Sequence, residues 1–255
     1  MTAMEMVGLF GLGVGVGALI GCVGIGGVLL VPSMALLFDV PIHVAIAVAM
    51  VCYIFSGAVG VTIYTRRGSI VWRDARWIVG GAVPAAFAGA FAVSVTPGVW
   101  LEALIAALIV FAGVHAMRRD AARGEKPDPG LAPPFLFLIG AMTGIGSAMT
   151  GTGGPLILVP ITVALGYPAL TAVGLSQAVQ VPIAASATVG NIAYGVVDWR
   201  ATAILSVALI GGTALGARAA HAVPTATLRR LLSWVLVLVG LSMVIRLGYG
   251  HLAAP

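Results

Sequence analysis

Apolar blocks alternate with short polar or Gly/Pro-rich breaks along the whole chain, over 6–22, 27–38, 42–64, 77–96, 99–117, 133–149, 154–166, 169–194, 201–217 and 228–247. Six of them approach the ~20 residues that a helix needs to cross a bilayer. The pattern therefore predicts an all-α integral membrane protein. Blocks 27–38 and 154–166 are too short to cross unaided, and each follows a glycine cluster, which predicts a Gly-broken or re-entrant helix at both places. The first block has no Lys or Arg before it and leads into further apolar sequence, so it reads as a first span and not as a cleaved signal peptide.

One long hydrophilic interruption, Arg118 to Pro134, is charged, proline-rich and without periodicity, as a linker would be. The same boundary emerges from an internal repeat. A shift of 127 residues carries Gly13 onto Gly140, Gly17 onto Gly144, Gly24 onto Gly151, Gly26 onto Gly153 and Gly27 onto Gly154. It continues through Pro41 and Pro168, Trp72-Arg73 and Trp199-Arg200, Gly89 and Gly216, Pro97 and Pro224, and Gly113 and Gly240. Glycine matches alone are weak in a chain with 35 glycines, but a paired Trp-Arg match with five tryptophans available is hard to obtain by chance. The expected organisation is a first membrane repeat over 1–117, a cytoplasmic linker over 118–132 and a second membrane repeat over 133–255.

Composition removes the soluble alternatives, since 60% of residues are hydrophobic and 8% charged, against about 25% charged in an average globular chain. Lys and Arg number 13 against 8 Asp and Glu. In a membrane chain that excess reports orientation and gives no reason to expect nucleic acid as a partner. Arg66, Arg67, Arg73 and Arg76 cluster in one loop of the first half, and Arg218, Arg229 and Arg230 lie around the next loop position of the second, so the charge bias reverses between the halves. Inverted repeats put 11 of the 13 basic residues in the cytoplasm and parallel repeats put 10 there; the reversal favours inversion. Cys22 and Cys52 show no disulfide or metal spacing, and neither a metal nor a cofactor is expected.

Chemistry concentrates at the two matched glycine clusters, Gly21–Gly27 before Val31-Pro32 and Thr150–Pro155 before Val159-Pro160. Unwound backbone at membrane depth is tolerated where it lines a cavity or is buried in protein. A helix starting after such a break points free N–H groups and about half a positive charge at the break, which favours an anion. Candidate substrate-binding residues are Cys22, Gly24, Gly26, Gly27, Thr150, Gly151, Thr152, Gly153 and Gly154, together with Ser176, Gln177 and Gln180 of the following span. Thr143, Ser147 and Asn191 are further costly polar groups inside spans. Gly13, Gly17, Gly89, Gly113 and their partners read as helix-packing positions. Asp39, His43, Glu102 and His115 lie near span ends, where water is available. No paired carboxylates or Ser/His/Asp set is present to support an enzyme.

The sequences GIGGVLLVP at 24–32 and GTGGPLILVP at 151–160, the PxxxAxA pattern after Pro41 and the GxxxWR elements at 68–73 and 195–200 resemble the TauE/SafE sulfite exporter family, also called toluene sulfonate uptake permeases. The resemblance spans nearly the whole chain. It implies a permease of the bacterial cytoplasmic membrane that moves sulfur-containing anions such as sulfite, sulfoacetate, sulfonates or thiosulfate. The two motifs differ in polarity, with Cys22 and Ile25 opposite Met149 and Thr152. The expected function is thus a secondary transporter binding a small anion at paired glycine breaks while the halves move relative to one another. An anion channel and a non-transporting membrane scaffold or accessory subunit are the competing readings, and a homodimer is left open.

Overall fold

The computed structural model describes residues 3–23, 26–118, 130–194, 197–219 and 241, and all its regular elements are helical among them. In chain order they are α1 (Ala3–Val23), a 3-10 turn (Gly26–Leu29) running into α2 (Leu30–Leu37), α3 (Ile42–Arg66), α4 (Trp72–Val95), α5 (Gly98–Arg118), α6 (Pro133–Thr150), α7 (Pro155–Ala164), α8 (Ala169–Tyr194) and α9 (Trp199–Ala219). Among the described residues, α1, α3, α4, α6, α8 and α9 are six helices long and apolar enough to cross a membrane. The block at 228–247 apart from residue 241, residues 119–129 of the linker, Gly24, Ile25, Pro224, Arg229, Arg230 and Gly240 lie outside the described residues.

Two short helices stand where the hydrophobic blocks were too short to span: the turn with α2 over 26–37 and α7 over 155–164. Proline sets several starts, with Pro41 preceding α3 and Pro133 and Pro155 opening α6 and α7, where the missing N–H costs no helical bond. Other helices outrun their apolar blocks. α4 begins at Trp72, five residues before the block at 77–96, because its polar first turn is still helical. α9 begins at Trp199, where the Asp198 carboxylate caps it by accepting from the Arg200 and Ala201 N–H groups at 2.9 and 3.1 Å.

The 127-residue shift also relates elements: α3 starts at 42 and α8 at 169, α4 at 72 and α9 at 199, and α2 ends at 37 and α7 at 164. Contacts follow the same relation. α1 packs along α9 and α4 along α6, while α3 and α8 meet in the centre. Glycines permit the closest approaches, since lipid supplies no hydrophobic drive between helices and backbone proximity must supply packing energy. A Cβ at Gly13 would lie 2.6 Å from that of Ala208, one at Gly17 3.0 Å from the Leu209 Cα, one at Gly89 2.8 Å from the Ala148 Cβ and one at Gly144 2.9 Å from the Ala82 Cα. These are the packing roles expected of such positions.

Partner numbering gives direction. Along α1 and α9, and along α4 and α6, contact positions rise together, so each pair is parallel. Along α3 and α8 they run oppositely: Gly57 meets Val181 and Gly60 meets Gln177, so this pair is antiparallel. Two bundles result, one of α1, α2, α3 and α9 and the other of α6, α7, α8 and α4, joined along α3 and α8. Outward faces carry large apolar side chains, and Trp72 and Trp199, 52% and 60% exposed at matching helix starts, suit a membrane–water boundary.

Candidate functional site

The two glycine breaks converge on one side chain. Tyr53, wholly buried in mid-α3, donates its hydroxyl to the Gly27 carbonyl at 2.5 Å. A Cβ at Gly27 would lie 3.2 Å from both that hydroxyl oxygen and the Thr152 carbonyl, and one at Gly153 would lie 2.8 Å from the Tyr53 ring. Gly26, Gly27 and residues 150–154 thus occupy one small buried region, Gly26 packing back on Leu19 and Ile20 of α1.

Chain reversal at the second break requires glycine. Gly151, Gly153 and Gly154 have φ of 65°, 74° and 113°, a region that costs an L-residue roughly 1–2 kcal/mol. Gly151 closes α6 in left-handed geometry, and its N–H and that of Thr152 both donate to the Ser147 carbonyl. Thr150 donates to the Gly146 carbonyl at 2.7 Å and shares a 3.1 Å hydroxyl contact with Thr152. Two hydroxyls remain over: Thr143 Oγ1 and Ser147 Oγ are buried and have no hydrogen-bond partner among the described residues. Both side chains face the start of α7, since a Cβ at Gly154 would lie 3.8 Å from Thr143 Cγ2 and 3.9 Å from Ser147 Oγ. Each such orphan costs about 1–3 kcal/mol unless something else satisfies it.

Gln177 and Gln180 share the α8 face that meets α3. The Gln180 amide nitrogen donates to the Tyr53 carbonyl at 3.4 Å and to Ser56 Oγ at 3.2 Å, and that of Gln177 to the Ile20 carbonyl of α1 at 3.4 Å. Both carboxamide oxygens are buried without a partner. The glutamines therefore tie α8 to α1 and α3, and each leaves a buried acceptor over. Ser176 spends its hydroxyl on its own helix, donating to the Val173 carbonyl at 2.8 Å. Cys22 is a free, partly exposed thiol in the last turn of α1.

Two buried groups were not singled out from the sequence, Tyr53 and Asp74, and a third, Cys52, was expected there only as a thiol without disulfide or metal spacing. Tyr53 is the repeat partner of Gln180, because 53 + 127 = 180, and that arithmetic was the available signal. Asp74, 1% exposed in the first turn of α4, accepts from the Tyr167 hydroxyl at 2.5 Å and from Arg73 Nε at 3.3 Å, tying α4 to the α7–α8 loop. Cys52 accepts from the Ser206 hydroxyl at 3.4 Å, linking α3 to α9.

Comparison with known proteins agrees with the membrane architecture. Residues 9–243 match the family model described as "Sulfite exporter TauE/SafE". A "Probable membrane transporter protein YdhB" of Bacillus subtilis (strain 168) is 24% identical over 234 residues, covering 89% of this chain and 96% of that protein. No solved structure matches the chain. A family match over nearly the whole length of a multi-pass helical chain, built around buried glycine breaks, leads to one conclusion: the chain belongs to the TauE/SafE sulfite exporter family and is a membrane transporter, not an enzyme.

Proposed function

We propose that the chain is a secondary transporter of the bacterial cytoplasmic membrane for a small sulfur-containing oxyanion such as sulfite, sulfoacetate, another sulfonate or thiosulfate. The observation that carries this reading is the pair of buried, unpartnered hydroxyls of Thr143 and Ser147 at the glycine break where α7 begins. Hydroxyls can turn their protons toward an anion, and the start of a ten-residue helix adds a fixed partial positive charge. None of the residues gathered around the break is Lys or Arg, so an oxyanion there is held by dipoles. That suits a carrier, which must release what it binds. Burial supports a carrier over a channel: Thr143, Ser147 and Thr150 are wholly enclosed, with Tyr53 and Ile183 closing on the break. The family to which the chain belongs supports sulfur anions as the substrate class.

The reading includes two inverted repeats, 1–117 and 133–255, supported by the antiparallel meeting of the equivalent helices α3 and α8. It also assigns the moving parts. Each bundle contains the fourth helix of the opposite repeat, so alternating access works by the bundles shifting along α3 and α8 and not by the sequence halves swinging as separate bodies. The arginine-bearing ends of α3 and α9 face the cytoplasm under the positive-inside rule.

Thermal unfolding of the purified protein with sulfite, thiosulfate, sulfoacetate, sulfate, phosphate and chloride tests the site. A ligand at 100 times its Kd stabilises the folded state by about 2.7 kcal/mol. Sulfur oxyanions should raise the midpoint, and the rise should vanish in Thr143→Val/Ser147→Ala, which removes both hydroxyls at nearly constant volume. No shift with any anion, or a full shift in the double variant, would overturn the assignment.

A further inference from the structure

We propose that the groove between the C-terminal turns of α3 and α9 is a binding site for the phosphodiester headgroup of an anionic phospholipid. The open groove has a volume of about 550 Å³ and is lined by Arg66 at the end of α3, Arg67 just beyond it and Arg218 of α9, with Ala58, Val59 and Ile63 among its apolar lining. None of the residues lining it is acidic. Arginines at helix ends are ordinarily explained by the helix dipole and by orientation in the membrane, and neither explanation requires convergence. Here Arg66 at the end of α3 and Arg218 of α9, 152 positions apart in sequence (218 − 66), bring their guanidiniums to one cavity. Like charges gathered in one groove call for an anion, and the planar guanidinium fork matches phosphate oxygens in a bidentate way.

Position selects a lipid over a dissolved anion. Ala58, Thr62 and Arg66 form one stripe at i, i+4 and i+8, and all three are exposed on the outer surface of α3, beside Phe55 at 46% exposure. The opposite face, carrying Gly57 and Gly60, is turned to α8 and the central site. The groove thus opens toward the bilayer and away from the glycine breaks. From Ala58 to Arg66 is eight residues, or about 12 Å of helix. That depth places a headgroup at the guanidiniums and the glycerol and first acyl carbons along Ala58, Val59, Ile63 and Ala214. Basic pockets between membrane helices recognise anionic headgroups through this combination of charge and apolar wall. The inference does not rest on the oxyanion reading of the glycine breaks.

The test uses delipidated full-length protein in a neutral detergent, titrated with phosphatidylglycerol, phosphatidylcholine or glycerol phosphate. Retained lipid is counted by native mass spectrometry and the unfolding midpoint is followed in parallel. Phosphatidylglycerol should be retained and should raise the midpoint, whereas phosphatidylcholine and glycerol phosphate should do neither. Arg66→Gln/Arg218→Gln should weaken phosphatidylglycerol binding roughly 25-fold, about fivefold for each arginine near the surface. Thr62→Trp fills the groove from the lipid side without changing charge and should abolish the lipid-dependent shift while leaving the lipid-free midpoint in place; should the arginine variant fail to fold, this variant decides. Equal retention of phosphatidylcholine, equal stabilisation by glycerol phosphate, or undiminished phosphatidylglycerol binding in Thr62→Trp overturns the proposal.

Discussion

Tyr53 is the residue on which the two breaks depend. Its hydroxyl satisfies the Gly27 carbonyl at 2.5 Å and its ring sits against Gly153. Tyr53→Phe keeps the ring and strands the buried carbonyl, so it should lower stability by about 1–3 kcal/mol, read as a fall in the unfolding midpoint. An unchanged midpoint would mean that the carbonyl finds another donor. Gly151, Gly153 and Gly154 were legible in the sequence because glycine clusters beside shortened blocks imply backbone that other residues cannot adopt, and all three have positive φ. Tyr53 was not, because it lies inside the continuous apolar block at 42–64 and nothing local marks it as polar and central. Asp74 was hidden for the opposite reason: among Arg73 and Arg76 it reads as a solvated loop residue, and only the fold brings Tyr167 over it.

At the scale of elements, helix contacts are set by which glycines have a backbone against them. A leucine at Gly144 would drive into the Ala82 backbone, where a Cβ alone would already lie 2.9 Å from Cα, whereas a Cβ at Gly211 meets nothing within 4 Å. Gly144→Leu should therefore cost well over the 1–3 kcal/mol typical of overpacking, because the obstacle is main chain. Gly211→Leu should be neutral or stabilising by up to about 1 kcal/mol through helix propensity. Detergent-solubilised thermal unfolding of the two variants side by side checks the contrast, and equal losses would mean that the α4–α6 contact is not the tight one. Helix existence was readable from hydropathy. Helix starts were less so, because α4 and α9 begin with polar turns that leave the bilayer while remaining helical, and hydropathy falls before the hydrogen-bond pattern ends.

Across the molecule, the 127-residue period was visible in sequence, but the exchange of α4 and α9 between bundles was not. A helix's glycine stripe shows that it packs closely; it does not name its partner. The proposed inverted arrangement makes a direct prediction for the equivalent exposed positions Trp72 and Trp199. On a background lacking Cys22 and Cys52, cysteines at the two positions should react with an impermeant maleimide from opposite sides of the membrane. Labelling of both from one side would establish parallel repeats instead.

The exchange of fourth helices also bears on how the chain is made. α1 is complete by residue 23, yet its partner α9 ends at residue 219, so 219 − 23 = 196 further residues must be translated before the contact can close. At about 5–20 residues per second that is a wait of roughly 10–40 s. Throughout it the glycine stripe of α1 stands open to lipid and to foreign helices. A nascent chain that has reached only the linker therefore has two unmatched helix surfaces, on α1 and on α4.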